Sequence, residues 1–232
     1  MYTGIHSRSI TSVDFAPNGL VVSSSTDGTV KVWDLIQTDK VLTLKGHFMD
    51  IKKCRFFPSY EVILTIGNDM QMKIWSAIDG QCPVTLMGHK GSINDVQIID
   101  RGRNIISVGS DGYIKLWCVG KSTCIEDVFY PTGQDDIVSG SIFCCKLIKW
   151  NDIDILPKRQ KAKVEHSCGT EDKILAFGTE TGNLGILSIG ASEMVKIFLK
   201  KFFFLNFLEL LFKILFFCFF FDRFAHTNLI HL

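Results

Sequence analysis

The sequence predicts an all-β fold made of tandem repeats, because residues of the same type recur at one interval along its 232 residues. Tryptophans recur every 42 residues, at Trp33, Trp75 and Trp117. Each has an Asp six residues before it and a His further upstream, the latter at His6, His47 and His89. A fixed period of about 40–45 residues is the length of one four-stranded propeller blade.

The first unit, about residues 4–42, shows the strand pattern most clearly. Alternating apolar side chains predict a strand from Ile10 to Phe15, and a Pro-Asn-Gly turn follows it. A second strand is predicted from Leu20, and the pair Asp27-Gly28 predicts a tight hairpin. A third strand then ends at Trp33.

The second and third units, about residues 43–84 and 85–125, repeat this order. Both open with Gly-His, and their apolar residues match those of the first unit at offsets of 41 or 42. The hairpin of the second unit is Asp69-Met70, which lacks the Gly found at Asp111-Gly112. One blade cannot bury both of its faces alone, so we expect the units to stack.

A fourth unit, residues 126–190, is degenerate. Its segment 181–187 follows the outline of the earlier hairpins, with Leu187 where the Trp is expected. Leu187 lies 70 residues after Trp117, which is 28 more than the period. We therefore predict an inserted polar loop at about 150–170. Its basic run at 158–163 is interpreted either as a solvated loop or as a nuclear-import or phosphate-binding patch.

The period, the Gly-His pairs and the Trp-Asp elements together resemble WD-repeat proteins. The resemblance implies an incomplete β-propeller with three clear blades and one degenerate blade. It also implies one buried hydrogen-bonded set of His, Ser or Thr, Asp and Trp in each clear blade. The matching sets are His6, Ser23, Asp27 and Trp33; His47, Thr65, Asp69 and Trp75; and His89, Ser107, Asp111 and Trp117.

The recurring His, Ser and Asp residues also raise the possibility of a catalytic triad. Three tandem copies of one catalytic site would be unusual, whereas three copies of a structural element are expected of a repeat protein. Nucleotide-binding, zinc-protease and serine-hydrolase motifs are absent from the sequence. We therefore expect no enzymatic activity, no catalytic residues and no cofactor or metal.

Charge and cysteine content narrow the class of partner and compartment. The formal net charge is +1, which gives no overall basic field to attract nucleic acid. None of the eight cysteines forms a Cys-x-x-Cys pair, and the amino terminus has no secretory pattern. We expect reduced thiols and a cytoplasmic or nuclear location.

Residues 191–232 form a separate, Phe-rich region. The window 202–221 has 17 apolar residues of 20, a length that could span a bilayer, yet Glu209 and Lys213 lie near its middle. We predict an apolar, helical tail outside the family pattern. Three origins stay open: sequence translated from an intron or alternative exon, a membrane anchor, and a helix that binds the core or a partner.

Several phrases point to a narrower family than the repeats do. The segments HSRSITSVDFAPNGLVVSSSTDGTVKVWD, DIKKCRFFPS and GHKGSINDVQIIDRGRNIISVGSDGYIKLW closely resemble the proteasomal ATPase-associated factor family, over residues 1–190. The resemblance implies a chaperone of regulatory-particle assembly that binds proteasomal ATPase subunits. Alternatives are a general WD-repeat scaffold, such as a ubiquitin-ligase adaptor, and a protein tethered to a membrane by its tail.

Overall fold

The computed structural model describes residues 5–36, 41–129, 140–149, 173–189 and 196–199, and every regular element there except one short 3₁₀ turn is a β-strand. Sixteen strands form four antiparallel sheets, named blades 1 to 4. Blade 1 contains β1 (Ile10–Phe15), β2 (Leu20–Ser25), β3 (Thr29–Asp34) and β4 (Val41–Lys45). Blade 2 contains β5 (Ile51–Phe56), β6 (Val62–Gly67), β7 (Gln71–Ser76) and β8 (Val84–Met87).

The other two blades have the same up-and-down strand order. Blade 3 contains β9 (Ile93–Ile99), β10 (Asn104–Gly109), β11 (Ile114–Cys118) and β12 (Thr123–Phe129). Blade 4 contains β13 (Ile142–Lys149), β14 (Lys173–Thr179), β15 (Leu184–Ile189) and β16 (Lys196–Leu199). Each hydrogen-bonded neighbour is also the next strand along the chain, which is the arrangement expected of a propeller blade.

Each blade packs on the next through an apolar layer. The layer between blades 1 and 2 joins Val22, Val30 and Leu44 to Ile51 and Ile63, among others. Equivalent layers join blade 2 to blade 3 and blade 3 to blade 4. The first strands of successive blades also contact one another, so these strands form the inner side of the stack.

The prediction of an all-β WD-repeat fold with three regular blades and one degenerate blade is confirmed. The sequence patterns assigned no residues to the fourth strand of any blade, and these are β4, β8, β12 and β16. The last of them lies beyond the boundary predicted at residue 190, because its backbone pairs with β15 and completes blade 4.

Several predictions fall outside the part of the chain that the structure describes. They are the inserted loop at 150–170, its basic run at 158–163 and the tail from residue 200, including 202–221. These remain predictions. Among the residues that are described, none belongs to a helix with the length and apolar character needed to cross a membrane.

Candidate functional site

Blade 2 contains a buried chain of hydrogen bonds that crosses its second and third strands. His47 lies in the loop before β5, Thr65 on β6, Asp69 in the hairpin and Trp75 on β7. His47 Nδ1 lies 2.8 Å from Asp69 Oδ2, and His47 Nε2 lies 2.7 Å from Thr65 Oγ1. The indole Nε1–H of Trp75 donates to the same Oγ1 over 2.8 Å.

The chemistry of these groups fixes the direction of each hydrogen bond. The indole can only donate and the carboxylate can only accept. Thr65 therefore accepts from Trp75 and donates to Nε2 of His47, whose Nδ1–H donates to Asp69. Burial lowers the pKa of His47 and outweighs the opposing effect of Asp69, which favours the neutral imidazole that this direction requires.

Blades 1 and 3 contain the same network with small differences. In blade 3, His89 Nε2 lies 2.7 Å from Ser107 Oγ, and Trp117 Nε1 donates to that oxygen over 2.8 Å. In blade 1 the corresponding indole bond to Ser23 is longer, at 3.3 Å. The structure thus brings together the four members of all three sequence-predicted sets. Their role as structural elements remains a prediction.

The hairpin carboxylates also hold the loop that enters each blade. Backbone N–H groups of Ser7, Phe48 and Lys90 donate to the Asp of their own blade. Burial alone would raise the pKa of Asp27 and Asp111, but hydrogen bonds outweigh it and lower the pKa of both. The bonds come from Thr29, Ser7 and His6 in blade 1 and from His89, Lys90 and Tyr113 in blade 3. Ser7 and Thr29 were not predicted from the sequence.

The Gly of the Gly-His pair is required by the nearby indole ring. A Cβ added at Gly46 would lie 3.1 Å from Cη2 of Trp75, and one added at Gly88 would lie 3.1 Å from Cη2 of Trp117. These separations are shorter than ordinary van der Waals contact between carbon atoms. The indole therefore packs directly against the backbone of the loop.

Blade 4 replaces this polar network with apolar packing. Phe177 lies on β14 at the position that Ser23 has on β2, and Leu187 takes the Trp position. Both side chains are buried in the layer against blade 3. Gly185 makes room for the phenyl ring, because a Cβ there would come within 2.2 Å of Cζ of Phe177.

Polar contacts between blades are a feature that the repeat spacing did not reveal. Lys53 Nζ on β5 lies 2.8 Å from Asp95 Oδ1 on β9, and Asp95 Oδ2 accepts the backbone N–H of Cys145 on β13 over 3.0 Å. Asp95 therefore connects three consecutive blades. Lys53 and Asp95 occupy the same position of successive repeats, which holds Ser12 in blade 1, so the residue type changes from repeat to repeat and the sequence carried no periodic signal.

The hydroxyl groups of the networks in blades 2 and 3 are enclosed by their hydrogen-bond partners. Thr65 and Ser107 are fully buried, and each hydroxyl already bonds both the indole and the imidazole. Within the described ranges, no cluster of three or more His, Cys, Asp or Glu side chains could hold a metal ion.

An exposed apolar surface lies at the hairpin edge of blade 2. Phe48, Met49 and Met70 have exposed fractions of 83%, 54% and 42%. Phe48 and Met70 are held near each other, because the backbone N–H of Phe48 donates to Asp69 and Met70 directly follows Asp69 in the chain. Large apolar side chains exposed together are typical of a surface that binds another protein.

Comparison with known proteins defines the class of the repeats. The family described as WD domain, G-beta repeat matches residues 3–34, 38–76 and 80–118. These segments end with the third strand of blades 1, 2 and 3, and each contains all four members of one hydrogen-bonded set. The chain therefore carries WD repeats in tandem.

Part of the chain is similar to one particular WD-repeat protein, as the sequence phrases suggested. It is 48% identical over 59 residues to proteasomal ATPase-associated factor 1 of Homo sapiens and 46% identical over 59 residues to that of Gallus gallus. Each match covers 25% of this chain and 15% of the relative. The resemblance to this family is thus confirmed over a quarter of the chain.

Other similarities are broader. Mitochondrial division protein 1 of Mycosarcoma maydis is 45% identical over 65 residues, which is 28% of this chain and 8% of that protein. The crystal structure of the computationally designed Ika4 protein aligns with a TM-score of 0.59 at 22% identity, covering 81% of this chain and 95% of that one. The latter likeness concerns the fold alone.

Proposed function

We propose that the chain is a non-catalytic protein-binding module that docks on ATPase subunits of the proteasome regulatory particle and serves the assembly of that particle. The observation that carries the proposal is the 48% identity to a protein named for its association with proteasomal ATPase. The WD repeats support the more general part of the proposal, which is that the chain binds other proteins, because blades of this kind present loops on a rigid scaffold.

A non-catalytic role is supported by how the polar side chains are used. A nucleophilic hydroxyl must reach its substrate, yet Thr65 and Ser107 are enclosed between strands. Their imidazole partners are oriented toward a carboxylate and a hydroxyl in the same blade. The site therefore stabilises the blade and contributes to binding by holding the loops in place.

The hairpin edge of blade 2 is the surface that we expect to contact the ATPase. Phe48 and Met49 project from the loop whose backbone Asp69 holds, so little conformational entropy is lost when a partner covers them. Arg8 and Lys90 are exposed in the corresponding loops of blades 1 and 3. An apolar centre with basic neighbours suits a partner surface that combines apolar and acidic side chains.

The test is capture of purified regulatory-particle ATPase subunits by the immobilised full chain. We expect the wild type to retain an ATPase subunit and the double variant Phe48→Ser with Met49→Ser to lose at least about tenfold in affinity, since exposed apolar anchors contribute about 1–2 kcal/mol each when a partner buries them. Ile78→Ser is the matched control, because Ile78 is also apolar and 71% exposed but lies at the opposite end of β7.

Two outcomes would contradict the proposal. A folded wild-type chain that retains no ATPase subunit would remove the proteasomal role. Equal binding by the wild type and the double variant, with loss in Ile78→Ser, would move the contact to the opposite edge.

A second candidate is a general WD-repeat scaffold for another complex, including a ubiquitin ligase. The similarity to mitochondrial division protein 1 favours it, because its 45% identity nearly equals that to the proteasomal factor. Co-purification that yields other proteins without proteasome subunits would support this candidate. A tether through residues 202–221 would instead keep the chain in the membrane fraction after carbonate washing.

The proposal places the chain in the cytoplasm or nucleus. All six cysteines in the described part of the chain are free thiols, which suits a reducing compartment. Burial raises the pKa of Cys54 to about 11, so this thiol stays protonated at neutral pH. Fractionation of cells that express the chain, with proteasome subunits as markers, tests the location.

A further inference from the structure

Within the part of the chain that the structure describes, one apolar face of blade 1 has no blade packed on it, and we name it the outer face of blade 1. Its members come from the first three strands and the residue after β3: Ile10, Val13, Phe15, Val21, Trp33 and Leu35. Val13 and Phe15 are 58% and 56% exposed, and Ile10 and Leu35 are about half exposed. The sheet below these residues is well formed, because β1 pairs with β2 along its length.

The equivalent face of blade 2 shows what normally covers such residues. The same six positions in that blade hold Ile51, Cys54, Phe56, Ile63, Trp75 and Ala77. All six are buried, with Cys54 only 1% and Phe56 only 7% exposed where their counterparts Val13 and Phe15 are more than half exposed. The residue types are alike in the two blades, so the difference in exposure comes from the neighbouring blade that covers this face only in blade 2.

The neighbour that buries this face in blade 2 is the opposite face of blade 1. Val22, Val30 and Val32 pack into the layer between the two blades and are at most 4% exposed. Polar bonds fix the approach, because the backbone N–H of Phe56 donates to Asp14 Oδ2 over 2.8 Å. A face of this kind therefore accepts a second blade presenting apolar side chains from its second and third strands.

Blade 4 presents a face of that kind outward. Gly182 has φ +78° and Gly28 has φ +76° in equivalent hairpins, so the two blades can be aligned residue by residue. Leu184 then corresponds to Val30 and is 43% exposed where Val30 is fully buried. Ala176 and Ile186 correspond to Val22 and Val32 and are only half-buried.

We propose that two copies of this chain associate head to tail, with the outer face of blade 1 in one copy packed on the outward face of blade 4 in the other. Each copy carries one face of each type, so two copies satisfy both. The contact would continue the packing already present between consecutive blades. Two copies supply eight blades, which is within the usual range of four to eight for a closed propeller, and closure would bury both exposed apolar faces.

A closed four-bladed ring within one copy is not what the structure shows, because Val13 and Phe15 would then be covered by blade 4. The pairing is also heterologous: the two surfaces in contact are different, so an Asp on either one breaks both contacts of a homodimer. This property allows a test that separates the proposed pairing from other self-association.

The test measures the mass of the full chain in solution by light scattering and native mass spectrometry. A single chain has a mass of 26.1 kDa, and we expect the wild type at twice that mass. Phe15→Asp alone and Leu184→Asp alone should each give the single-chain mass. An equimolar mixture of the two variants should recover the doubled mass, because one contact of the mixed pair then joins two unaltered faces.

The control is Phe48→Asp, an exposed residue away from both faces, which should keep the doubled mass. Circular dichroism of each variant establishes that the strands are retained. A wild type at the single-chain mass, a doubled mass that survives Phe15→Asp, or a mixture that stays at the single-chain mass would each overturn the proposal. The second outcome would assign the association to another segment, such as the Phe-rich tail.

Discussion

The hydroxyl of Thr65 on β6 accepts the indole N–H of Trp75 on β7 over 2.8 Å. That oxygen also lies 2.7 Å from Nε2 of His47, so one hydroxyl connects two strands and the loop that enters the blade. Because all three groups are buried, each depends on the others for a hydrogen-bond partner.

Replacing Thr65 with Val should destabilise the protein by about 1–3 kcal/mol, because the indole N–H and the imidazole nitrogen would both lose their partner. Val keeps the shape and the strand preference, so the effect isolates the hydroxyl. Urea unfolding followed by tryptophan fluorescence measures it. Thr123→Val, at an exposed position on β12, should change the midpoint little. Equal midpoints for the wild type and Thr65→Val would show that the network is not structural.

Replacing Met70 with Gly should stabilise the protein by about 0.5–1 kcal/mol. Met70 has φ +61°, while the same hairpin position in blades 1 and 3 holds Gly28 at φ +76° and Gly112 at φ +77°. An L-residue with a side chain pays a steric cost in this region that Gly avoids. Thermal unfolding measures the change, and a lower melting temperature for the Gly variant would contradict the expectation. Met87→Gly, on a strand, is the control that should destabilise.

Stability should fall with decreasing pH in two windows. The folded state lowers the pKa of His47 below its ordinary value of 6.5, so the unfolded chain binds more protons below that pH. The stability that His47 contributes is complete above pH 6.5 and is lost as the pH falls through the pKa of His47 in the folded state. The lowered pKa values of Asp27 and Asp111 add a second loss that begins below about pH 3.8.

Urea midpoints at pH 7.5, 5.5 and 3.5 test both windows. His47→Gln will lower stability at every pH, but it should also reduce the slope between pH 7.5 and 5.5, because the titrating group is gone. An unchanged slope in that variant would assign the pH dependence to other groups.

Adding a methyl group at residue 185 should destabilise blade 4. The Cβ of an Ala there would meet the ring of Phe177 at 2.2 Å, so the ring must move out of its packed position, at a cost of about 1–3 kcal/mol. Gly120→Ala is a matched control, since a Cβ at that glycine has no atom within 4 Å. Hydrogen exchange of β14 and β15 would localise the effect, and protection equal to that of the wild type would contradict it.

The sequence predicted the parts of the fold that depend on local chemistry. The Asp-Gly hairpins, the Trp spacing and the alternating apolar residues located the inner three strands of blades 1 to 3. The fourth strands were missed because they lie at the edge of a blade. Residues Val41–Lys45, for example, are mostly exposed.

Features that depend on a neighbour could not be predicted from the pattern. Phe15 and Phe56 are the same residue at equivalent positions, yet their exposures differ because only one has a blade against it. Phe177 shows a missed signal of another kind. It lies eight residues before Gly185, as Ser23 lies eight before Lys31, so a bulky residue paired with a Gly could have been recognised.

The exchange of a hydrogen-bonded set for a phenyl ring gives blade 4 a different response to temperature. Apolar contacts weaken on cooling, whereas the buried polar bonds of blades 1 to 3 do not depend on water in the same way. Blade 4 should therefore be the part of the described structure most sensitive to cold, and storage near freezing would loosen it before blades 1 to 3.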